Sequence, residues 1–150
     1  MQIGVDLPSN IPGAKGDFIL DWARKADVGP FSSVGVIDRI TFDNYEPMVT
    51  LAAAASVTKR VRLVTNILMA PLRNAGILAK QAASVDALSN GRLTLGLAVG
   101  RRPADFKAAP ADSSRRGKFF EGQLETMKRI WSGEPLADDI GPIGPAPVQK

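Results

Sequence analysis

The stretch GRLTLGLAVGRRPADF, Gly91 to Phe106, decides how the fold is read. It follows an Asn90-Gly91 pair that stops a helix, since glycine takes the left-handed conformation past a helix end without steric cost. From Leu93 to Gly100 no residue is charged. Leu93, Leu95, Leu97 and Val99 share one face there, and Thr94, Gly96 and Ala98 share the other, which is the period of two of a β-strand. With the bulky row turned toward helices, the small row leaves room on the opposite face for a ligand or for a closely approaching backbone. The strand then runs into paired arginines, Arg101 and Arg102, so its mouth is positively charged.

Working outward, candidate strands begin near Gln2, Ser33, Val61 and Arg92, at intervals of 31, 28 and 31 residues, the length of a strand plus a helix. The intervals carry helical stripes. Asp17 to Val28 places Ile19, Trp22, Ala23 and Ala26 at i, i+3, i+4 and i+7. Pro47 opens EPMVTLAAAASVT, in the first turn where its missing N–H is harmless, and the alanines that follow favour helix. NAGILAKQAASVDALSNG repeats the stripe with Ala75, Leu78, Ala79, Ala82 and Val85. A fourth helix, about Ser114 to Trp131, aligns Phe120, Leu124, Met127 and Trp131 ahead of Gly133 and Pro135.

Short apolar strands alternating with helices imply parallel pairing through right-handed crossovers, hence an α/β fold. A doubly wound sheet and a (β/α)8 barrel of the TIM type both satisfy this pattern. The segment VDLPSNIPGAKGD after the first strand lacks the G-x-G-x-x-G turn of a dinucleotide fold. Four βα units precede the tail GEPLADDIGPIGPAPVQK, where residues 134–150 read as a Gly/Pro-rich loop without helix or strand. A full barrel takes eight units and about 250 residues. Residues 1–150 therefore read as the N-terminal half of a barrel, either continued on further residues or paired to hide its two sheet edges.

Composition narrows the chemistry. The chain has no cysteine and no histidine, so disulfides, thiolate nucleophiles and Ser-His-Asp catalysis are excluded and no metal site is expected. Carboxylates, Arg, Lys, hydroxyls or a borrowed cofactor must carry any reaction. No apolar run approaches the length of a membrane span, and MQIGVDLPSN has no signal core, so a cytoplasmic protein is expected. Nineteen Lys and Arg against 15 Asp and Glu give a net charge of +4. Arg101, Arg102, Arg115, Arg116 and Lys118 hold much of the excess, without interleaved aromatics, a pattern that favours a local anion site over nucleic acid.

Ligands of parallel α/β folds sit at the carboxyl ends of the strands. The ends readable here are Asp6-Leu7-Pro8, Asp38-Arg39, Asn66-Ile67 and Val99-Gly100-Arg101. Asp38 and Arg39 are either a proton-relay or substrate-orienting pair or a structural one. Asn66, interrupting VRLVTNILMAP, either marks a bulge or points at a ligand. SSRRGK puts Arg115, Arg116 and Lys118 into the first turn of the fourth helix, where the macrodipole disfavours cations. Such groups are either solvated or matched to a bound phosphate, held by guanidinium forks and backbone N–H donors.

The blocks VRLVTNILMAPLRNAGILAKQAASVDALSNGRLTLGLAVG, Val61 to Gly100, and RRGKFFEGQLETMKRIWSGEP, Arg115 to Pro135, resemble the bacterial luciferase-like family of flavin-dependent oxidoreductases. IGVDLP and SSVGVIDRITFDNYEPMVTLAAAA add weaker support. The resemblance implies a (β/α)8 barrel about twice as long, with reduced flavin or a deazaflavin coenzyme over the strand ends. It implies a non-prolyl cis peptide at Asn66-Ile67 beneath the flavin ring. It also places phosphate binding at the Val99-Gly100-Arg101 loop and at Arg115 or Arg116. Many relatives carry a histidine after the second strand; Arg39 stands there beside Asp38. These two are the catalytic candidates, Arg39 able to stabilise charge but not to transfer a proton. The activity implied is monooxygenation of a small organic substrate with reduced FMN and O2, the flavin delivered by a separate reductase, and a homodimer is expected. Deazaflavin-dependent hydride transfer and a flavin-binding relative without turnover are the alternatives.

Overall fold

Strands β1 (Gly4–Asp6), β2 (Ser33–Val36), β3 (Arg62–Thr65) and β5 (Leu93–Thr94) form one parallel sheet in that order in the computed structural model, which describes residues 1–149. Two short strands, β4 (Leu68–Met69) and β6 (Leu97–Ala98), pair in parallel as a second sheet above it. Helices α1 (Gly16–Val28), α2 (Pro47–Val57), α3 (Ala75–Leu88) and α5 (Arg116–Trp131) fill the intervals, with a 3-10 turn at Ala70–Leu72 and a short helix α4 (Pro103–Ala108).

Register explains the core. Val5, Val34, Leu63 and Leu93 are partners across the four strands and face the helices, where they pack with Ile19, Ala23, Leu51, Ala54, Leu78, Ala82 and Met127. Because side chains alternate, the next row, Asp6, Gly35, Val64 and Thr94, lies on the opposite face, the interior of a barrel. Alanines on α2 and α3 let neighbouring helices pack closely: Ala54, Ala79 and Ala82 are buried where α2 meets α3 and α3 meets α5.

The amino ends of the strands are pinned by polar staples. The Asp27 carboxylate accepts hydrogen bonds from the Lys59, Arg60 and Val61 N–H groups at 2.9, 2.8 and 2.9 Å. The Arg92 guanidinium donates to the carbonyls of Ala55, Thr58 and Val61 at 3.2, 3.0 and 2.9 Å. These hydrogen bonds stabilise the amino ends of the strands, the end opposite the carboxyl rim.

Several expectations from the sequence are corrected. The third and fourth strands are each broken in two, so the seven-residue alternation from Leu93 to Val99 does not run as one strand. Trp22 is not a core residue: it is 39% exposed and lies against Phe18, with ring centroids 6.0 Å apart. The helix expected from Ser114 begins at Arg116, and α4 appears in the loop before it, too short to give a periodic signal. On α5 the buried residues are Gln123, Met127 and Ile130, while Phe120, Leu124 and Trp131 are half-buried. Trp131 keeps its indole N–H satisfied at the Ala79 carbonyl, 3.0 Å away.

Residues 134–149 contain no helix or strand, yet they are anchored. The buried Asp86 carboxylate accepts from Val148 N–H at 2.7 Å and from both the backbone and the side-chain amide of Gln149 at 3.1 and 2.7 Å. Among the described residues, no helix is long and apolar enough to cross a membrane.

Candidate functional site

At the carboxyl rim, β2 ends at Val36 and Asp38 turns into the protein, its side chain 1% exposed. One oxygen accepts from Met69 N–H at 2.7 Å and Arg73 Nη1 at 2.6 Å; the other accepts from Arg73 Nη2 at 3.0 Å. Arg73 Nη2 also donates to Glu46 Oε1 at 3.1 Å, and Glu46 Oε2 caps α2 by accepting from Val49 N–H at 2.8 Å. Burial lowers the Arg73 pKa, but the Asp38 and Glu46 carboxylates outweigh it and leave the guanidinium above its usual value.

The expected pairing of Asp38 with Arg39 is therefore not formed. Consecutive residues in extended chain point to opposite sides, and Asp38 is committed to Arg73, 35 residues away in sequence. Buried and engaged by three protein donors, two on one oxygen and one on the other, Asp38 braces the rim. Nothing in the local sequence around Arg73 announced this role.

Arg39 instead faces α4. Its Nε lies 3.5 Å from Asp105 Oδ2, and its guanidinium carbon is 5.3 Å from the Phe42 ring centroid, a cation–π geometry. Asp105 is fully buried and its Oδ1 accepts from Ile40 N–H, Thr41 N–H and the Thr41 hydroxyl at 3.1, 2.9 and 2.9 Å. Burial pushes the Asp105 carboxyl up, but these donors and the Arg39 charge win and hold its pKa below the ordinary carboxylate range. Asp105 is the rim residue that sequence reasoning missed.

Asn66-Ile67 occupies the break between β3 and β4, and its peptide bond is cis. Both side chains are exposed on the rim. The fourth strand breaks at the same level: the Gly96 carbonyl accepts from Thr65 Oγ1 at 2.8 Å and from Leu68 N–H at 2.9 Å. A Cβ at Gly96 would lie 2.3 Å from the Thr65 carbonyl oxygen. Of the two readings open for the small face of this strand, Gly96 takes the close backbone approach.

Val99 and Gly100 are half-buried and lead to the exposed Arg101 and Arg102. Gly100 has a φ of +74°, and a Cβ there would press on Met69 Sδ and Phe106 Cε2 at 3.3 Å, so the bend requires glycine. At the start of α5 no acidic residue occupies the first turn and no side chain caps it. Arg116 Nη1 donates to the Ser113 carbonyl at 2.6 Å, whereas Arg115 and Lys118 line a cavity of about 670 Å³ with Pro71, Asn74, Phe119 and Gln123. Asp112 also borders this cavity, but its Oδ1 accepts from Ser114 N–H and Oγ at 2.8 and 2.7 Å. Among the described residues, no side-chain hydrogen bond or ion pair engages Arg101, Arg102, Arg115 or Lys118. The described residues hold no cluster of three or more His, Cys, Asp or Glu suited to a metal.

Comparison with known proteins places the family and the fold. Residues 1–141 match the model of the luciferase-like monooxygenase family. A protein of Mycobacterium tuberculosis is 32% identical over 111 residues, covering 69% of this chain and 39% of the relative. The oxygenase component of flavin-dependent trigonelline monooxygenase from Acinetobacter baylyi is 33% identical over 90 residues, 59% of this chain and 25% of the relative. In structure, monooxygenase RslO1 from Streptomyces bottropensis superposes with a TM-score of 0.85 at 24% identity, over 100% of this chain and 51% of that one. The chain thus spans about half or less of the length of these matches. Its fold is the α/β architecture of a TIM-type barrel over that span, and the chain belongs to the luciferase-like monooxygenase family.

Proposed function

We propose that this chain supplies the coenzyme-binding rim of a flavin-dependent monooxygenase that uses reduced FMN and O2 on a small organic substrate. The observation that carries the reading is the pair Arg115 and Lys118, which line one cavity at the start of α5; neither they nor the exposed Arg101 has a carboxylate within ion-pair distance among the described residues. Two or more guanidinium or ammonium groups at one rim repel each other, and a phosphate offsets that repulsion. The uncapped N–H groups opening α5 add donors of the right sign.

The residues present fit such a coenzyme. Arg101 and Arg115 would hold the phosphate, with Arg116 shaping the turn through its bond to the Ser113 carbonyl. Gly100, whose bend leaves no room for a side chain against Met69 and Phe106, would set the course of the loop into Arg101. Val99, Asn66 and Ile67 would lie along the body of the ligand, presenting a floor without charge. Arg39 would stabilise negative charge at the ring end, a task for an electrostatic group and not for a proton carrier. Asp38 keeps Arg73 and the β4 amide fixed behind this surface. Bound reduced flavin would supply the electrons that activate oxygen, and the protein's part is to bind, orient and exclude water.

A separate reductase as the source of reduced flavin, a homodimeric assembly and a cytoplasmic setting complete the reading. Residues 1–149 are taken as the N-terminal half of a barrel, with residues 134–149 as its Gly/Pro-rich loop; Lys150 lies outside the described residues. FMN is the coenzyme proposed first, the Acinetobacter relative being named as flavin-dependent, with a deazaflavin coenzyme as the alternative. Oxygen uptake on addition of chemically reduced FMN, with and without candidate apolar substrates, tests it. Uptake above the free-flavin rate with hydroxylated or ring-expanded product supports the reading. FMN binding without accelerated uptake would favour a passive flavin-binding relative, and activity only with reduced deazaflavin would move it to hydride transfer.

A further inference from the structure

We propose that Asp105 is the positioning residue for Arg39: from a buried seat on α4 it fixes where the Arg39 guanidinium stands at the edge of the coenzyme site. The inference deepens the functional reading above and rests on it for its binding arm.

Three observations converge. First, the two oxygens of Asp105 do different things. Oδ1 is loaded with the N–H groups of Ile40 and Thr41 and the Thr41 hydroxyl, so the loop just after Arg39 is held by three bonds to one atom. Oδ2 is buried and makes no hydrogen bond at all. Second, Arg39 Nε is likewise buried without a hydrogen bond, and it faces that oxygen at 3.5 Å. These two orphans are complementary in charge and in donor-acceptor character, and each is the other's ion-pair partner. Third, the remaining freedom of Arg39 is blocked elsewhere: Phe42 lies under its guanidinium, and Asp38, the residue before it, is locked to Arg73.

A carboxylate needed only as a loop latch would gain nothing from leaving one oxygen dry, because burying an unpaired charge is costly. The arrangement makes sense when Oδ2 is reserved for the arginine, while the Arg39 side chain stays partly exposed and its terminal nitrogens make no hydrogen bond among the described residues. Side chains held in this way from both sides are pre-organised for a ligand and lose little freedom when it arrives. The sequence spacing hides the link, since 66 residues separate Arg39 from Asp105.

The sign of the effect separates positioning from simple electrostatics. If Asp105 acted only through its field, replacing it with the isosteric amide would remove a negative charge near an anionic ligand and tighten binding. If it positions Arg39, the same change weakens binding. FMN affinity is therefore measured by fluorescence quenching for the full chain and for Asp105→Asn, Arg39→Gln and the double variant. We expect Asp105→Asn to weaken FMN about tenfold alone and less than about twofold in the Arg39→Gln background, a coupling typical of directly interacting pairs. Tighter binding, or an equal loss in both backgrounds, overturns the proposal. Thr41→Val, which removes one of the three donors, gives a smaller change of the same sign and covers the case in which Asp105→Asn fails to fold. The NMR resonance of the Arg39 Nε–H, which faces Asp105 Oδ2, supplies a readout independent of flavin. If no variant and not the parent binds FMN, the functional reading falls. The positioning claim then stands where this N–H is slow to exchange in the parent and becomes fast in Asp105→Asn but not in Thr41→Val, and falls where it exchanges freely in the parent.

Discussion

Replacing Gly96 with alanine tests how the two broken strands are locked together. The added methyl would sit 2.3 Å from the Thr65 carbonyl oxygen, against about 3.3 Å for a close carbon–oxygen contact, so the backbones must part by about 1 Å. Thr65 cannot retreat freely, because its hydroxyl donates to the Gly96 carbonyl at 2.8 Å and that carbonyl also receives Leu68 N–H at 2.9 Å. Overpacking costs about 1–3 kcal/mol, and loss of one of these bonds adds about 1 kcal/mol. We expect Gly96→Ala to lower stability by about 2–4 kcal/mol, read as a fall of about 1–2 M in the urea midpoint. Gly122→Ala is the control: it lies inside α5 with nothing within 4 Å of the added carbon, and alanine is worth up to about 1 kcal/mol over glycine in a helix. Its midpoint should rise. A Gly96→Ala protein within about 0.5 kcal/mol of the parent, with unchanged near-ultraviolet circular dichroism, would refute the account of the strand break.

Other expectations concern the buried charges. Arg73→Met strands the Asp38 carboxylate in a site where it is 1% exposed, and should cost about 3–5 kcal/mol in urea unfolding; Asp38→Asn in that background should recover part of the loss, and no recovery would mean the pair is not the cause. Asp105 has a pKa held below the ordinary range, with burial opposing and the Thr41 and Ile40 donors prevailing. Its stabilisation is therefore complete above the unfolded value of about 3.9 and is lost as pH falls through the lower folded value. Asp105→Asn should flatten the acid limb of the urea midpoint below about pH 4, and an unchanged slope would remove Asp105 from the acid sensitivity of the fold.

Much of the architecture was legible because it rests on periodicity. The spacing of strand starts, Pro47 at the head of α2 and the Asn90-Gly91 stop are local signals, and the structure follows them; Asn90 and Gly91 both take positive φ, 57° and 78°. The break at Leu95-Gly96 was hidden, since an alternating pattern looks the same whether or not a neighbouring carbonyl intrudes. The buried stripe of α5 was read from its aromatic residues, whereas Gln123 is drawn inward to donate to the carbonyls of Ala70 and Arg73 at 3.0 and 2.7 Å. Arg115 and Arg116 drew notice because they are adjacent in sequence at a helix start; in the structure Arg115 lines the cavity and Arg116 turns back to the Ser113 carbonyl. The rim was illegible where partners lie far apart: Asp38 with Arg73 and Arg39 with Asp105 are set by the parallel topology, which brings successive loops to one end of the sheet.

The central claim, that cations with no ion-pair partner at the start of α5 hold a coenzyme phosphate, is tested most directly by comparing FMN with riboflavin on the parent chain and on Arg115→Ala. A hydrogen bond to a charged group is worth about 1.5–3 kcal/mol, so FMN affinity should drop roughly ten- to a hundredfold while riboflavin affinity stays within about twofold. Equal losses for both ligands, or no loss for either, would contradict the account.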